Sequence, residues 1–276
     1  MDSQKIGFMQ GRLSPIRDGR IQSFPWNSWQ DEFKIAPTIF LKKIEWTIDS
    51  ENFSSNPLIT PDGQSEINRL KTTFNLEIPS VTCDFFMENP PWKSNSSRTF
   101  SGLESVLLGM AKIGAKILVI PLVDNATIPA SISNNEIKKF FDPIRYLLLR
   151  EDIKIAFESD LKPDLLSNFM SEFDDECFGV NYDIGNSASL GFDPTEEFEA
   201  IGNRVINVHV KDRVLGGSTV PLGEGSADFP NVFKCLFIHG YMGNLIMQTA
   251  RSRSGNHTEA LSTYRTQIMS WIRATT

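Results

Sequence analysis

The chain has 276 residues, of which 40% are hydrophobic, and a formal net charge of −7. This acidic balance argues against a surface that binds nucleic acid or an anionic membrane, although it allows a small anionic substrate. The three cysteines lack CxxC or Cys/His spacing, and no signal-peptide layout or membrane-spanning apolar stretch is present, so we expect a cytoplasmic protein without disulfides or structural zinc.

Short apolar segments alternate with longer helix-like segments from one end of the chain to the other. The predicted strands are Ile6–Met9, Ile44–Ile48, Ile78–Cys83, Ile117–Leu122, Ile153–Phe157, Phe178–Tyr182, Val205–Val210 and Leu245–Gln248. Several are rich in Val and Ile with little polar alternation, which is typical of parallel strands buried on both faces. The pattern predicts a (β/α)8 TIM barrel, with an open doubly wound sheet as the alternative. Because no GxGxxG motif follows the first strand, the dinucleotide-binding form of that sheet is not favoured.

Helical spacing is clearest in four of the connecting segments. They are Ser101–Ile113, Asn134–Leu149, Asp228–Phe237 and Thr258–Ile272. Pro37 falls within the first helical pattern, where it should shorten or kink the helix. No linker or charge run divides the chain, so we expect a single barrel domain over residues 1–276. The sequence leaves the oligomeric state open between a monomer and a homo-oligomer.

Polar residues recur where the last four predicted strands end. Glu158 and Asp183 follow the fifth and sixth strands, His209 lies within the seventh, and Gln248 ends the eighth. In a barrel these positions converge on one point, and two carboxylates, an imidazole and an amide oxygen suit one divalent ion: Mn²⁺, Mg²⁺, Co²⁺ or Zn²⁺. The alternatives are helix caps or loop partners for the carboxylates, a hydrogen-bonded core histidine, and an amide that only supports the ligands.

Further charged and polar residues fall at strand ends or in the loops beyond them. The predicted substrate-binding residues are Gln10, Arg12, Glu45, Asp84, Asn186, Lys211, Arg213, Glu224 and Arg251. The planar guanidinium of arginine suits a phosphate or carboxylate. The alternative for residues 211–213 is a solvated, self-paired surface turn. Aromatic residues after the first and third strands could cover a sugar or pack helices: Phe24, Trp26, Trp29, Phe85, Phe86 and Trp92.

The motifs resemble the sugar phosphate isomerase/epimerase group of xylose isomerase-like barrels, which includes ketose 3-epimerases and hexulose-phosphate isomerases. The matching segments run nearly end to end: IGFMQGRLSP, IEWTID, IPSVTCDFFMENP, IAFES, VNYDIGNSASLGFDP, VINVHVKDR, PLGEGSADF and LIMQTAR. The DIGN and HVKDR segments with the following GEG turn are together quite specific, whereas GEG alone would be weak.

The resemblance implies a metal held by an acid after strand five, an Asp after strand six, a His on strand seven and an acid after strand eight. These positions are Glu158, Asp183, His209 and Gln248, and the resemblance gives the first and last the catalytic proton transfers. Glu158 matches that pattern as the base. Gln248 does not, because an amide can ligate a metal through oxygen but is no Brønsted base near neutral pH.

The resemblance therefore predicts a metal-dependent isomerase or epimerase of a sugar or sugar phosphate, working through an enediolate. With an amide at position 248, 1,2-isomerisation by one base is more compatible than 3-epimerisation by two. A related lyase, such as a keto-inositol dehydratase, is the alternative among enzymes. A barrel that binds sugar without catalysis is the alternative outside them, favoured by Gln248 and opposed by the other three residues.

Overall fold

Eight parallel strands close into a barrel in the computed structural model, which describes residues 3–93 and 96–275. The strands are β1 (Ile6–Met9), β2 (Ile44–Ile48), β3 (Ser80–Cys83), β4 (Ile117–Leu122), β5 (Lys154–Ser159), β6 (Phe178–Asp183), β7 (Val205–Val210) and β8 (Leu245–Met247). Each strand pairs with its neighbour in the sequence, and β8 pairs with β1 to close the ring. The predicted (β/α)8 barrel is thus confirmed.

Helices surround the barrel. They are α1 (Trp29–Ile35), α2 (Pro61–Phe74), α3 (Phe85–Glu88), α4 (Ser96–Ile113), α5 (Asn134–Phe141), α6 (Arg145–Glu151), α7 (Pro163–Ser171), α8 (Ile184–Leu190), α9 (Pro194–Ile201), α10 (Phe229–Ile238) and α11 (His257–Thr275). Within the two described ranges, no helix has both the length and the apolar character needed to cross a membrane.

Prolines account for the main differences between the predicted and observed elements. The predicted helix Asn134–Leu149 is divided between α5 and α6 by a 3₁₀ turn over Asp142–Ile144, since Pro143 cannot donate a helical hydrogen bond. Pro37 acts as expected, because α1 ends at Ile35 and a 3₁₀ turn follows. Strand β3 begins at Ser80, after a proline that has no amide hydrogen for the ladder.

The apolar core lies between the strands and the outer helices. Phe157 of β5 is fully buried and shows how the two layers interlock. Its ring lies 5.2 Å from Phe141 of α5, 5.4 Å from Phe169 of α7 and 6.0 Å from Phe178 of β6, measured between centroids. Such aromatic packing fixes the fifth and sixth strands, whose carboxyl ends carry Glu158 and Asp183.

Close packing between α4 and the segment before α2 yields a stability prediction. A Cβ atom added at Gly109 would lie 2.3 Å from the Leu58 carbonyl oxygen. We expect Gly109→Ala to lower the free energy of unfolding by roughly 1–3 kcal/mol through overpacking, although alanine favours helices. Thermal unfolding would test this, with Ser105→Ala on the exposed side of the same helix as control. An unchanged or higher Tm for Gly109→Ala would contradict the prediction.

Two loops shape the carboxyl-terminal mouth of the barrel. After β7 the chain forms a short antiparallel ribbon in which Asp212 pairs with Val220 and Arg213 with Thr219. The fully buried Asp212 carboxylate accepts hydrogen bonds from the backbone N–H groups of Gly223, Gly225 and Ala227, at 2.8, 2.9 and 3.2 Å. The long segment after β1 also reaches the mouth, where Gly19, Ile21 and Gln22 line the cavity.

Candidate functional site

Three of the four predicted metal ligands meet at the carboxyl ends of β5, β6 and β7. Ligand atoms of Glu158, Asp183 and His209 all lie within 4.8 Å of one another, and all three residues are buried. The His209 Nδ1 atom is 3.1 Å from Glu158 Oε2 and 3.8 Å from Asp183 Oδ2. The strand register produces this arrangement, since Asp183 and His209 are paired across β6 and β7.

A buried carboxylate beneath the cluster fixes the histidine ring. Glu45 Oε1 lies 2.7 Å from His209 Nε2, and the same carboxylate accepts bonds from Ser80, Thr82 and Asn207 at 2.6, 2.6 and 3.0 Å. We assign the Nε2 proton to this bond, so that Nδ1 faces the other two carboxylates and could offer its lone pair to a bound metal ion. A histidine held through its second nitrogen by a carboxylate is typical of metal sites.

The opposite charges of His209 and Glu45 stabilise each other in this buried site. Burial lowers the pKa of His209, but the Glu45 carboxylate together with Asp183 and Glu158 raises that pKa well above its ordinary value. Burial alone would raise the pKa of Glu45, but His209 and the two hydroxyl donors hold it below its ordinary value. The sequence predicts a substrate contact for Glu45. The structure places Glu45 fully buried beneath His209, with its oxygens bonded to protein donors, and the substrate contact stays a prediction.

Two asparagine side chains hold the carboxylate of Glu158. Asn181 Nδ2 donates to Oε2 and Asn186 Nδ2 donates to Oε1, both at 2.7 Å. Asn186 is itself oriented by Arg213, whose guanidinium donates to its Oδ1 at 2.8 Å. Glu158 therefore has a fixed orientation at the edge of the open barrel mouth.

The two carboxylate oxygens of Asp183 have different partners, one in helix α8 and one in the candidate site. Its Oδ1 accepts from the Asn186 N–H at 2.8 Å and caps α8, so the helix-cap interpretation is correct for this oxygen. Its Oδ2 forms an ion pair with Lys211 Nζ at 2.7 Å. Burial would raise the pKa of Asp183, but Lys211 and His209 lower it to about 2. Lys211 also donates to Gln248 Oε1 at 2.8 Å, so the amide oxygen of Gln248 is turned toward an ammonium group.

The amide nitrogen of Gln248 begins a second chain of hydrogen bonds. Gln248 Nε2 donates to Gln22 Oε1 at 2.9 Å, and Gln22 Nε2 donates to Asp84 Oδ2 at 2.6 Å. Asp84 is half-buried at the end of β3. Burial raises its pKa to about 7; Gln22 opposes this shift, and the negative charges of Glu158 and Asp49 add to it.

A cavity of about 540 Å³ opens above these groups at the barrel mouth. Its wall includes six of the predicted site residues: Asp84, Glu158, Asn186, Lys211, Arg213 and Gln248. The rest of the wall comes mainly from the loops after β1, β4 and β7 and includes Gln22, Asp124 and Thr219. Its size and mixed polar and apolar lining fit a small polar ligand.

Four other predicted substrate-binding residues are outside this wall. Arg12 is buried and donates to the carbonyls of Thr249 and Ile21; burial and the charge of Arg251 lower its pKa to about 9. Arg251 donates to the carbonyl of Ser14. A substrate role for these two arginines stays a prediction.

Gln10 and Glu224 also lie apart from the cavity wall. Gln10 is fully buried, and its Oε1 accepts from the Thr47 N–H at 3.1 Å. Glu224 is exposed in the loop that follows the ribbon. The predicted aromatic residues likewise pack rather than line the cavity; for example, Phe24 lies 5.4 Å from Trp46 and Phe85 lies 4.5 Å from Phe53, measured between ring centroids.

Sequence reasoning missed Gln22, Asn181 and Asn207. Asn181 and Asn207 precede Asp183 and His209 by two positions, and side chains two apart on a strand share a face. That alternation was a usable signal for both asparagines. Gln22 carries no such signal, because it lies in an irregular segment and enters the site only through the path of that segment.

Comparison with known proteins agrees with this geometry. The sequence profile of the family described as "Xylose isomerase-like TIM barrel" matches residues 44–274. The L-ribulose-5-phosphate 3-epimerase UlaE of Escherichia coli O1:K1 is 24% identical over 237 residues, covering 80% of this chain and 81% of the relative. The enzyme of the same name from Salmonella typhi is 31% identical over 99 residues, which span only 36% of this chain and 34% of the relative.

Solved structures share the whole fold. The structure of L-ribulose 3-epimerase superposes with a TM-score of 0.74 at 11% identity, covering 98% of this chain and 95% of the other. A xylose isomerase-like TIM barrel protein from Mycobacterium smegmatis in complex with magnesium superposes with a TM-score of 0.71 at 14% identity, covering 98% of this chain and 97% of the other. The resemblance seen in the motifs is confirmed, and the chain belongs to the xylose isomerase-like TIM barrel family.

Proposed function

We propose that this protein is a metal-dependent epimerase or isomerase of a ketose or ketose phosphate, moving a proton at the carbon next to the carbonyl. The observation that carries the proposal is the convergence of Glu158, Asp183 and His209 within 4.8 Å beside the cavity. The curated and solved relatives, among them L-ribulose-5-phosphate 3-epimerase and L-ribulose 3-epimerase, support an enzyme of the isomerase and epimerase class.

The donor set fits a divalent ion. Two carboxylates and an imidazole nitrogen would hold it, and Glu45 fixes the imidazole from behind. Such an ion, when bound, stabilises the negative oxygen that develops as a proton leaves the carbon beside a carbonyl. The set accepts Mn²⁺, Mg²⁺, Co²⁺ or Zn²⁺, and the fold relative solved with magnesium supports a metal of this class. Gln248 Oε1 is the proposed fourth ligand, and it would give up its bond with Lys211 to bind the ion.

Glu158 is the proposed base. It lines the cavity, and the two asparagine amides hold its carboxylate in one orientation. A carboxylate fixed in this way can take the proton from the carbon beside the carbonyl and return it. Lys211 and Arg213 place positive charge on the same wall, so they could face the anionic part of a substrate.

These two cations lead to a prediction about substrate charge. We expect kcat/KM for L-ribulose 5-phosphate to exceed that for L-ribulose by about 10–100-fold, since hydrogen bonds to charged groups contribute about 1.5–3 kcal/mol. Arg213→Met should remove most of this preference, whereas Arg69→Met on the exposed face of α2 should leave it unchanged. Equal kcat/KM values for the two sugars would contradict the prediction.

Metal analysis followed by solvent exchange tests the proposed function. Protein stripped with chelator and reloaded separately with each of the four ions would be incubated in D₂O with ketoses and their phosphates. NMR should show deuterium at the carbon beside the carbonyl, together with an epimer or an isomer. Loss of water to an unsaturated product would indicate the lyase. Metal and sugar binding without exchange would indicate the non-catalytic barrel.

A further inference from the structure

With an amide at Gln248, no proton donor has yet been identified for the second face of the substrate carbon. Inverting a carbon beside a carbonyl requires proton removal on one face and proton delivery on the other. Glu158 can serve one face, but the amide of Gln248 can neither take nor give a proton at neutral pH. An epimerase with this site would therefore need a second acid–base group from elsewhere in the cavity wall.

The cavity wall offers few candidates. Apart from Glu158, its ionisable side chains are Asp84, Asp124, Lys211 and Arg213. Lys211 is held in an ion pair with Asp183, and arginine does not titrate near neutral pH. Asp124 is exposed at the rim, in the 3₁₀ turn after β4. Asp84 remains.

Hydrogen bonds connect Asp84 to Gln248 through one side chain of the cavity wall, Gln22. Gln22 bridges the two residues, accepting from Gln248 at 2.9 Å and donating to Asp84 at 2.6 Å. Glu158 is held by a separate set of bonds, from asparagines of β6 and α8. We infer that Asp84 is the second catalytic acid–base residue, acting on the substrate face opposite Glu158. This inference rests on the proposed function.

The surroundings of Asp84 suit that role. Burial raises its pKa to about 7, helped by the negative charges of Glu158 and Asp49 and opposed by Gln22 and His209. Arg12 also faces this carboxyl electrostatically. A carboxyl whose pKa is raised toward neutrality suits acid–base catalysis.

The proposed step conserves atoms and charge. Glu158 takes the proton as the C–H bond breaks, and the electron pair of that bond forms the enediolate while the carbonyl oxygen becomes negative. The protonated Asp84 then delivers its proton to the opposite face of the same carbon, and the carbonyl re-forms. Glu158 ends protonated and Asp84 ends ionised, and exchange with water resets both groups.

Measuring exchange separately from each epimer tests this assignment. Metal-loaded wild type, Asp84→Asn and Glu158→Gln would be incubated in D₂O with L-ribulose 5-phosphate or with its C3 epimer. We expect Asp84→Asn to lower interconversion by about 10²–10⁴-fold, because one general acid–base group is lost. It should still exchange the C3 proton of one epimer within about threefold of wild type. Glu158→Gln should retain exchange only from the other epimer.

Control variants show whether the effect of Asp84→Asn is specific to this carboxyl. An asparagine at position 84 can still accept from Gln22, so Tm and metal content should remain those of wild type. Asp18→Asn, on the exposed loop after β1, is the matched control and should behave as wild type. Equal exchange from both epimers in Asp84→Asn, or the one-sided loss in Asp124→Asn instead, would overturn the inference while the proposed function stands. No exchange by wild type from either epimer would contradict the proposed function, and the inference would fall with it.

Discussion

Replacing Glu158 with glutamine should reduce epimerase or isomerase turnover by about 10²–10⁴-fold, the usual contribution of a general base. The substitution keeps the shape of the side chain and an oxygen for one of the two asparagine bonds, but it removes the group that accepts the proton. Initial rates with L-ribulose 5-phosphate at saturating metal would give the ratio. Saturating metal matters because Glu158 is also a proposed ligand.

Glu104→Gln, on the exposed face of α4, is the matched control and should keep wild-type turnover. Metal content of Glu158→Gln should be measured in parallel, so that a loss of the ion is not mistaken for loss of the base. Turnover within a few-fold of wild type, with the ion bound, would show that Glu158 is not the base.

Replacing His209 with alanine should remove the metal and destabilise the fold at once. The imidazole is both a proposed ligand and the partner of the fully buried Glu45 carboxylate. Leaving a buried charge without its partner typically costs about 3–5 kcal/mol. We therefore expect a lower free energy of unfolding even in chelator, and no rise of Tm when metal is added.

Asp183→Asn separates the two effects. It should also abolish metal binding, but it keeps an oxygen that caps α8 and leaves Glu45 paired with His209. Its unfolding free energy should thus fall less than that of His209→Ala. His239→Ala, at the end of α10, should leave metal binding unchanged. Full metal content in both His209→Ala and Asp183→Asn after dialysis against chelator would show that the metal site is misassigned.

The barrel could be predicted because each of its strands coincides with a continuous apolar segment of the sequence. Strands buried on both faces, such as Ile117–Leu122, show little alternation of polar and apolar residues. The repeated strand–helix order is then compatible with only a few fold topologies. Helix breaks were harder to place, since the apolar spacing of residues 134–149 continues across Pro143 while the backbone hydrogen bonds do not.

Site residues could be predicted where their position along a strand brings them to the site. Residues that reach the site through the path of a loop could not be predicted. Glu158, Asp183 and His209 converge because adjacent parallel strands bring their carboxyl ends together. Glu45 shows what the sequence does not record: it is the second residue of β2, and its carboxylate lies against His209. Gln22 could not be placed, because no short-range pattern records how residues 10–28 fold back over the barrel.

The ribbon after β7 has a consequence for altering this protein. Its base is fastened to the barrel by the buried Asp212, and a Cβ at Gly225 would come within 2.2 Å of that carboxylate, so the base tolerates no side chain there. Its tip is more exposed, with Leu215 68% exposed, but Leu215 and Gly216 still donate backbone hydrogen bonds to Ser226 and Ser189. An insertion in this tip would therefore have to replace two backbone bonds, whereas the base of the ribbon, next to the strand that bears His209, would keep the bonds of Asp212.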